Sequence, residues 1–212
     1  LIPQTFYYVY AFSQLKNTED VVISVPSGNF GNLTAGIIAM KMGLPVKKFI
    51  ASTNINKIFP TYLRSGVFTP SSSAQTISNA MDVGNPSNFE RIVDLFHHSF
   101  DKVKDAIIGF YFTDDETRSA MQQMHSEFDY IVDPHGAVGY IGLINYLKKH
   151  PESKGICLGT AHPAKFLNVV EPTLKTDIKV PNRLQSFMMK QKKSVQISNV
   201  YGDFANQMFE NN

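Results

Sequence analysis

At 212 residues, 43% hydrophobic and 18% charged, the chain is long enough for a sizeable core and too apolar for a disordered tail. Twenty basic against eighteen acidic residues leave a net charge of +2, which gives no ground for a nucleic-acid or membrane-surface partner. No apolar run approaches the roughly 18 residues that cross a bilayer. The lone Cys157, in GICLG, cannot make an internal disulfide. A cytoplasmic location and a buried, inert thiol are therefore expected.

The chain opens on Leu1, in a stretch that reads as the middle of something already folded. It is expected to be a C-terminal fragment of a longer enzyme, forming a single domain over 1–212 with a less regular segment from about 171. Phe6, Tyr7, Tyr10, Ala11, Gln14 and Leu15 recur at helical spacing, so residues 4–16 are expected to form an amphipathic helix. Residues 21–25 form a continuous apolar run, the pattern of a strand buried on both faces of a parallel sheet. A helix over Leu33–Met42 should stop at Gly43, with Pro45 just beyond, and Val46–Ala51 should be the next strand. Helical pieces are expected over Asn56–Ser65, Ala74–Met81 and Asn88–Phe96, separated by Ser- and Pro-rich loops. A strand is expected over 106–112. Thr113 and Glu116 stand at capping-box spacing for a helix to about Glu127. Tyr130–Val132 reads as a strand, Pro134–Lys149 as a helix, Ile156–Leu158 as a short buried strand and Asp203–Phe209 as a last helix.

Alternating strand and helix predict an open α/β fold with a mainly parallel twisted sheet flanked by helices. Ligands in such sheets sit outside the carboxyl ends of the strands. Three loops fall at such ends: 26–32, 133–139 and 159–163. The first, SGNFGN, opens a helix, whose unpaired amides and partial positive charge suit a phosphate. Gly28 and Gly31 allow close backbone approach, Asn29 and Asn32 bring side-chain donors, and Ser27 adds a hydroxyl. Phe30 has no polar group and is expected to fix the loop by packing or to wall the pocket. No Gly-Lys-Ser/Thr is present, and the dinucleotide pattern lacks its third glycine. A small phosphorylated cofactor fits better than a nucleotide, the alternative being a turn with no ligand.

PSGNFGN with LTAG, SNAMDVGNPSNFER at 78–91, DPHGAVGY at 133–140 and GTAHPAKF at 159–166 together resemble the threonine synthase family. These are pyridoxal-phosphate enzymes of fold type II, related to the tryptophan synthase β subunit. The resemblance implies a carbon–oxygen lyase acting on phosphates, which converts O-phosphohomoserine and water to threonine and phosphate. It assigns Gly28, Asn29, Phe30, Gly31 and Asn32 to the cofactor phosphate. It assigns Thr160 to the pyridine nitrogen, although a helix-capping role for Thr160 stays open.

In this family the Schiff-base lysine lies in an N-terminal Phe-Lys-Asp context, which does not occur here. The resemblance therefore implies no catalytic residue in this chain, an N-terminal part of the same enzyme as partner, and an inactive fragment. Lys165 matches the family's AHPAKF segment and is expected to be structural. No zinc-site spacing links the six histidines and the cysteine. Asp133 is expected to cap the helix that follows. His135 and His162 face either the cofactor or supporting loops. Asn79, Asp82 and Asn88 either steady the domain or contact substrate. The rival readings are another fold type II enzyme, such as a threonine or serine dehydratase, and a non-catalytic homologue.

Overall fold

The run VVISVP forms β1 (Val21–Pro26), buried at every position. In this computed structural model, which describes residues 1–209, β1 lies inside a four-stranded sheet of order β3-β2-β1-β4. The other strands are β2 (Lys48–Thr53), β3 (Ile107–Tyr111) and β4 (Lys154–Cys157), and all pairings are parallel. The register places Ile23 beside Phe49 and Ile156.

Ten helices are described: α1 (Ile2–Ser13), α2 (Gly31–Lys41), α3 (Ile58–Ser65), α4 (Phe89–Leu95), α5 (Phe100–Ala106), α6 (Asp114–Phe128), α7 (Pro134–Leu147), α8 (Leu167–Leu174), α9 (Asn182–Met188) and α10 (Tyr201–Phe209). The chain divides after Ile178 into two compact units. The second holds α9 and α10, neither of which has a buried residue. Positions 210–212 of the segment expected from about 171 lie outside the described residues.

Alternation along β1 explains why it is apolar throughout. Val21, Ile23 and Val25 join one core with Tyr8, Leu33, Phe49 and Phe59. Val22 joins the other, with Ile50, Leu143 and Tyr146 of α7. Ser24 also belongs to the α7 side. Its hydroxyl donates to the Gly139 carbonyl at 2.6 Å and sits 3.0 Å from the Ser52 hydroxyl. A Cβ on Gly139 would lie 2.9 Å from Pro26 Cγ, so α7 approaches the sheet closely only because that position has no side chain.

The capping box of α6 forms as expected, with Thr113 Oγ1 accepting from the Glu116 amide and Glu116 accepting from the Thr113 amide. Three expectations differ. Residues 74–78 are not helical, and only the 3-10 turn Asn79–Met81 forms. Side chains hold this stretch in an irregular path instead: Asn56 accepts from the Ala74 amide and Asp82 from the Thr76 amide. Tyr130–Val132 finds no strand partner and leads into α7 as an irregular connection. The short helix α5 was not anticipated; Ser99 caps it by accepting from Lys102.

Phe49 is fully buried and meets the Tyr8 ring edge-on at 6.2 Å. Phe49→Ala should cost about 3–5 kcal/mol, read as a lower urea midpoint. A loss under about 1 kcal/mol would mean that the core re-forms around the gap.

Candidate functional site

Beyond β1 the chain turns sharply. The Ser27 amide stays tied to the end of β2 through the Ser52 carbonyl at 2.8 Å. Phe30 then adopts a left-handed conformation (φ 60°, ψ 15°), and α2 starts at Gly31 with no side chain capping it. A left-handed backbone costs a non-glycine residue on the order of 1 kcal/mol. Burial of the Phe30 ring, 4.6 Å from Phe59, offsets that cost. The Phe30 carbonyl accepts from both the amide and the hydroxyl of Thr34. Among the described residues, no protein acceptor takes the amides of Gly28, Asn29, Phe30, Gly31 or Asn32. All five residues line one cavity of about 630 Å³.

The expected side-chain donors of this loop are engaged by the protein itself instead. Ser27 Oγ donates to the Val25 carbonyl. Asn32 Nδ2 donates to the Pro26 carbonyl, and its Oδ1 accepts from the Leu33 amide. Asn29 exchanges hydrogen bonds with Ser87, and its carbonyl accepts from Asn88 Nδ2 at 2.8 Å. These groups brace the loop and leave only its main-chain amides free, because a short carboxamide in a tight turn reaches neighbouring backbone first. Tyr8 adds a brace from α1: its hydroxyl donates to the Asn32 carbonyl at 2.6 Å.

The three loops expected to bear function meet at this cavity. Gly28 is backed by the 79–81 turn: a Cβ there would lie 2.6 Å from Met81 Cα. His135 comes from the first turn of α7, which Asp133 caps as expected. Thr160 and Lys165 come from the segment after β4. Thr160 does not cap a helix; His162 does, accepting from the Ala164 amide through Nδ1. Thr160 is exposed in the cavity wall. Lys165 is the one formally charged side chain among the lining residues, and no carboxylate stands with it. Unpaired amides, a helix N-terminus and no competing negative charge fit a bound phosphate monoester.

Of Asn79, Asp82 and Asn88, left undecided by sequence, Asp82 and Asn88 steady the walls through their side chains, whereas Asn79 contributes only its backbone carbonyl. Asp82 accepts from the Thr76 amide, Thr76 Oγ1 and Asn54 Nδ2. The Asn79 carbonyl accepts from the Asp82 amide, and Asn88 holds Asn29. Sequence reasoning missed Tyr8, Ala80 and Met81. Tyr8 carries only the signal of a helix face, and the other two carry no chemical signal.

A parallel α/β sheet with unpaired amides at the carboxyl end of one strand, walled by the turn after another, is the arrangement in which such sheets bind small ligands. Residues 4–159 match the family described as pyridoxal-phosphate dependent enzyme, and the chain belongs to that family. Residues 136–205 match the C-terminal family of threonine synthase. The chain is 42% identical over 186 residues to threonine synthase from Escherichia coli strain K12, covering 87% of this chain and 42% of that relative. It is 45% identical to threonine synthase from Haemophilus influenzae, with 87% and 43% covered. The crystal structure of the Escherichia coli threonine synthase superimposes with a TM-score of 0.89 at 37% identity, over 99% of this chain and 48% of that one. A pyridoxal-phosphate-bound threonine synthase from Brucella melitensis gives 0.80 at 29% identity, over 90% and 46%. The chain thus spans less than half the length of these relatives.

Cys157, half-buried at the end of β4, lies 3.9 Å from the Gly136 carbonyl. Burial, reinforced by the Asp133 carboxylate, pushes its thiol from 9.0 up to about 12. The folded state therefore holds the proton more tightly than the unfolded chain. That stabilisation is complete below about pH 9 and is lost as pH rises through 9–12. At pH 8 iodoacetamide should modify Cys157 far more slowly in the native protein than in urea. Equal rates would contradict the shielding of this half-buried thiol.

Proposed function

We propose that the protein containing this chain is a threonine synthase, a lyase that converts O-phosphohomoserine and water to threonine and phosphate. The observation that carries this reading is the set of five unpaired amides at residues 28–32 around a cavity without carboxylates. Identity of 42–45% to threonine synthases supports the choice of substrate.

In this reading the amides of Gly28, Asn29, Phe30, Gly31 and Asn32 hold the cofactor phosphate. When bound, pyridoxal phosphate supplies a conjugated ring that spreads the negative charge developing on the substrate carbon. Thr160 donates its hydroxyl proton in a hydrogen bond to the ring nitrogen. A hydroxyl is too weak an acid to give that proton up, so Thr160 would leave the nitrogen neutral and temper its electron withdrawal. An aspartate at 160 would favour the charged, stronger sink. Phe30 and the 79–81 turn shape the pocket and displace water from the phosphate.

No lysine here stands in the Phe-Lys-Asp context, so the cofactor-linking lysine is assigned to an N-terminal part of the same enzyme. Ile2, Phe6 and Tyr10, each 68–69% exposed on one face of α1, give that part an apolar surface to cover. The chain alone is inactive. A cytoplasmic enzyme suits the single thiol and the absence, among the described residues, of a helix long and apolar enough to cross a membrane.

The full-length protein with pyridoxal phosphate should release inorganic phosphate from O-phosphohomoserine and form threonine in equal amount. Keto-acid formation from threonine or serine without phosphate release would assign it to the dehydratases instead. This chain alone, mixed with pyridoxal phosphate, should develop no visible band that disappears on replacing one lysine. Such a band would show that it carries its own linking lysine.

A further inference from the structure

One hydrogen-bonded series at the cavity has no part in the chemistry above. Asp133 and His135 are 2% and 4% exposed. Asp133 Oδ1 accepts from the His135 amide at 2.9 Å and lies 2.8 Å from the ring Nδ1. On the other side of the ring, Nε2 accepts from the Ala80 amide at 3.3 Å. An amide can only donate, so the ring proton belongs on Nδ1 and Asp133 receives it. The ring also packs 4.8 Å from Phe166. His135 therefore joins three segments far apart in sequence: the 79–81 turn, the start of α7 and the segment after β4.

The 79–81 turn needs such an anchor. It follows residues 67–78, which contain no helix or strand. Its far side is fixed by Asp82, through the Thr76 and Asn54 bonds already described. Its near side, at Ala80, is fixed by His135. That side is the one pressed against Gly28, backbone against backbone, with Met81 Cα 2.6 Å and the Ala80 oxygen 3.1 Å from where a Cβ would stand. Backbone at such close contact has no soft side chain to absorb a shift. A displacement of Ala80 passes directly into the loop whose amides are unpaired.

We infer that Asp133 and His135 form a positioning pair for the cofactor phosphate, setting the width of the amide cradle by holding Ala80 against Gly28. This rests on the pyridoxal-phosphate reading. The pair acts through Ala80 and Gly28.

Two variants of the full-length protein separate this role from simple support of the fold. In His135→Gln, Oε1 takes the place of Nε2 and can still accept from Ala80. In His135→Asn, Nδ2 takes the place of Nδ1 and keeps the bond to Asp133, but the Ala80 amide loses its acceptor. Both shrink the ring that packs on Phe166. H135N should bind pyridoxal phosphate about tenfold more weakly than H135Q, the worth of one hydrogen bond. The two apo proteins should melt alike, and their affinities for pyridoxal, which lacks the phosphate, should also be alike. Equal pyridoxal-phosphate affinities in the two variants would overturn the inference. So would an equal loss of pyridoxal binding, or an H135N protein that fails to fold while H135Q folds. A wild-type protein that does not prefer pyridoxal phosphate to pyridoxal would overturn the cofactor reading itself, and this inference with it.

Discussion

Five consecutive main-chain amides without an acceptor among the described residues are the constraint around which the first unit is arranged. Unpaired donors at the edge of a core are unfavourable unless something fills them, so the surrounding residues must hold the loop open against collapse. They do so from several directions. Phe30 is driven into a left-handed turn by burial of its ring against Phe59. Tyr8 holds the Asn32 carbonyl, Asn88 the Asn29 carbonyl, and the Asn32 carboxamide spans back to Pro26. Each brace engages a carbonyl or a side chain and leaves the amides alone.

The sheet supplies the platform for this arrangement. β1 is buried on both faces, with α7 packed on one through Gly139 and the larger aromatic core on the other. Its carboxyl end therefore cannot move independently of either layer. The walls of the cavity come from the same end of the sheet, so Thr160 after β4 and His135 at the head of α7 share one frame with the loop. In the function proposed here, that frame would hold the cofactor's phosphate at residues 28–32 and its ring nitrogen at Thr160. It leaves the covalent link to a segment elsewhere in the longer enzyme.

Much of this was legible from residue pattern. The β-branched run, the Gly43 stop and the capping box at Thr113 and Glu116 each have a local cause, and each element formed within a few residues of its expected span. Convergence of loops 26–32 and 159–163 followed from the rule that parallel sheets bind at their carboxyl ends; loop 133–139 joins them although no strand precedes it. What sequence could not show were partners chosen across long separations. Asn29 and Asn32 look like ligand donors in isolation; Ser87, 58 residues away, and Pro26 claim their side chains. Over Ala74–Met81 the partners are likewise side chains: Asn56 and Asp82 hold the Ala74 and Thr76 amides in an irregular path. Tyr130–Val132 has strand-forming residues but pairs with none of the four strands.

The most direct measurement is an amide NMR titration of the full-length protein with inorganic phosphate, followed by pyridoxal phosphate. A cradle built from residues 28–32 predicts that phosphate alone moves the amide resonances of those residues first, and that pyridoxal phosphate moves them together with Thr160. Resonances of 28–32 that stay fixed while others respond would contradict the cradle, and the cofactor assignment would lose its physical basis.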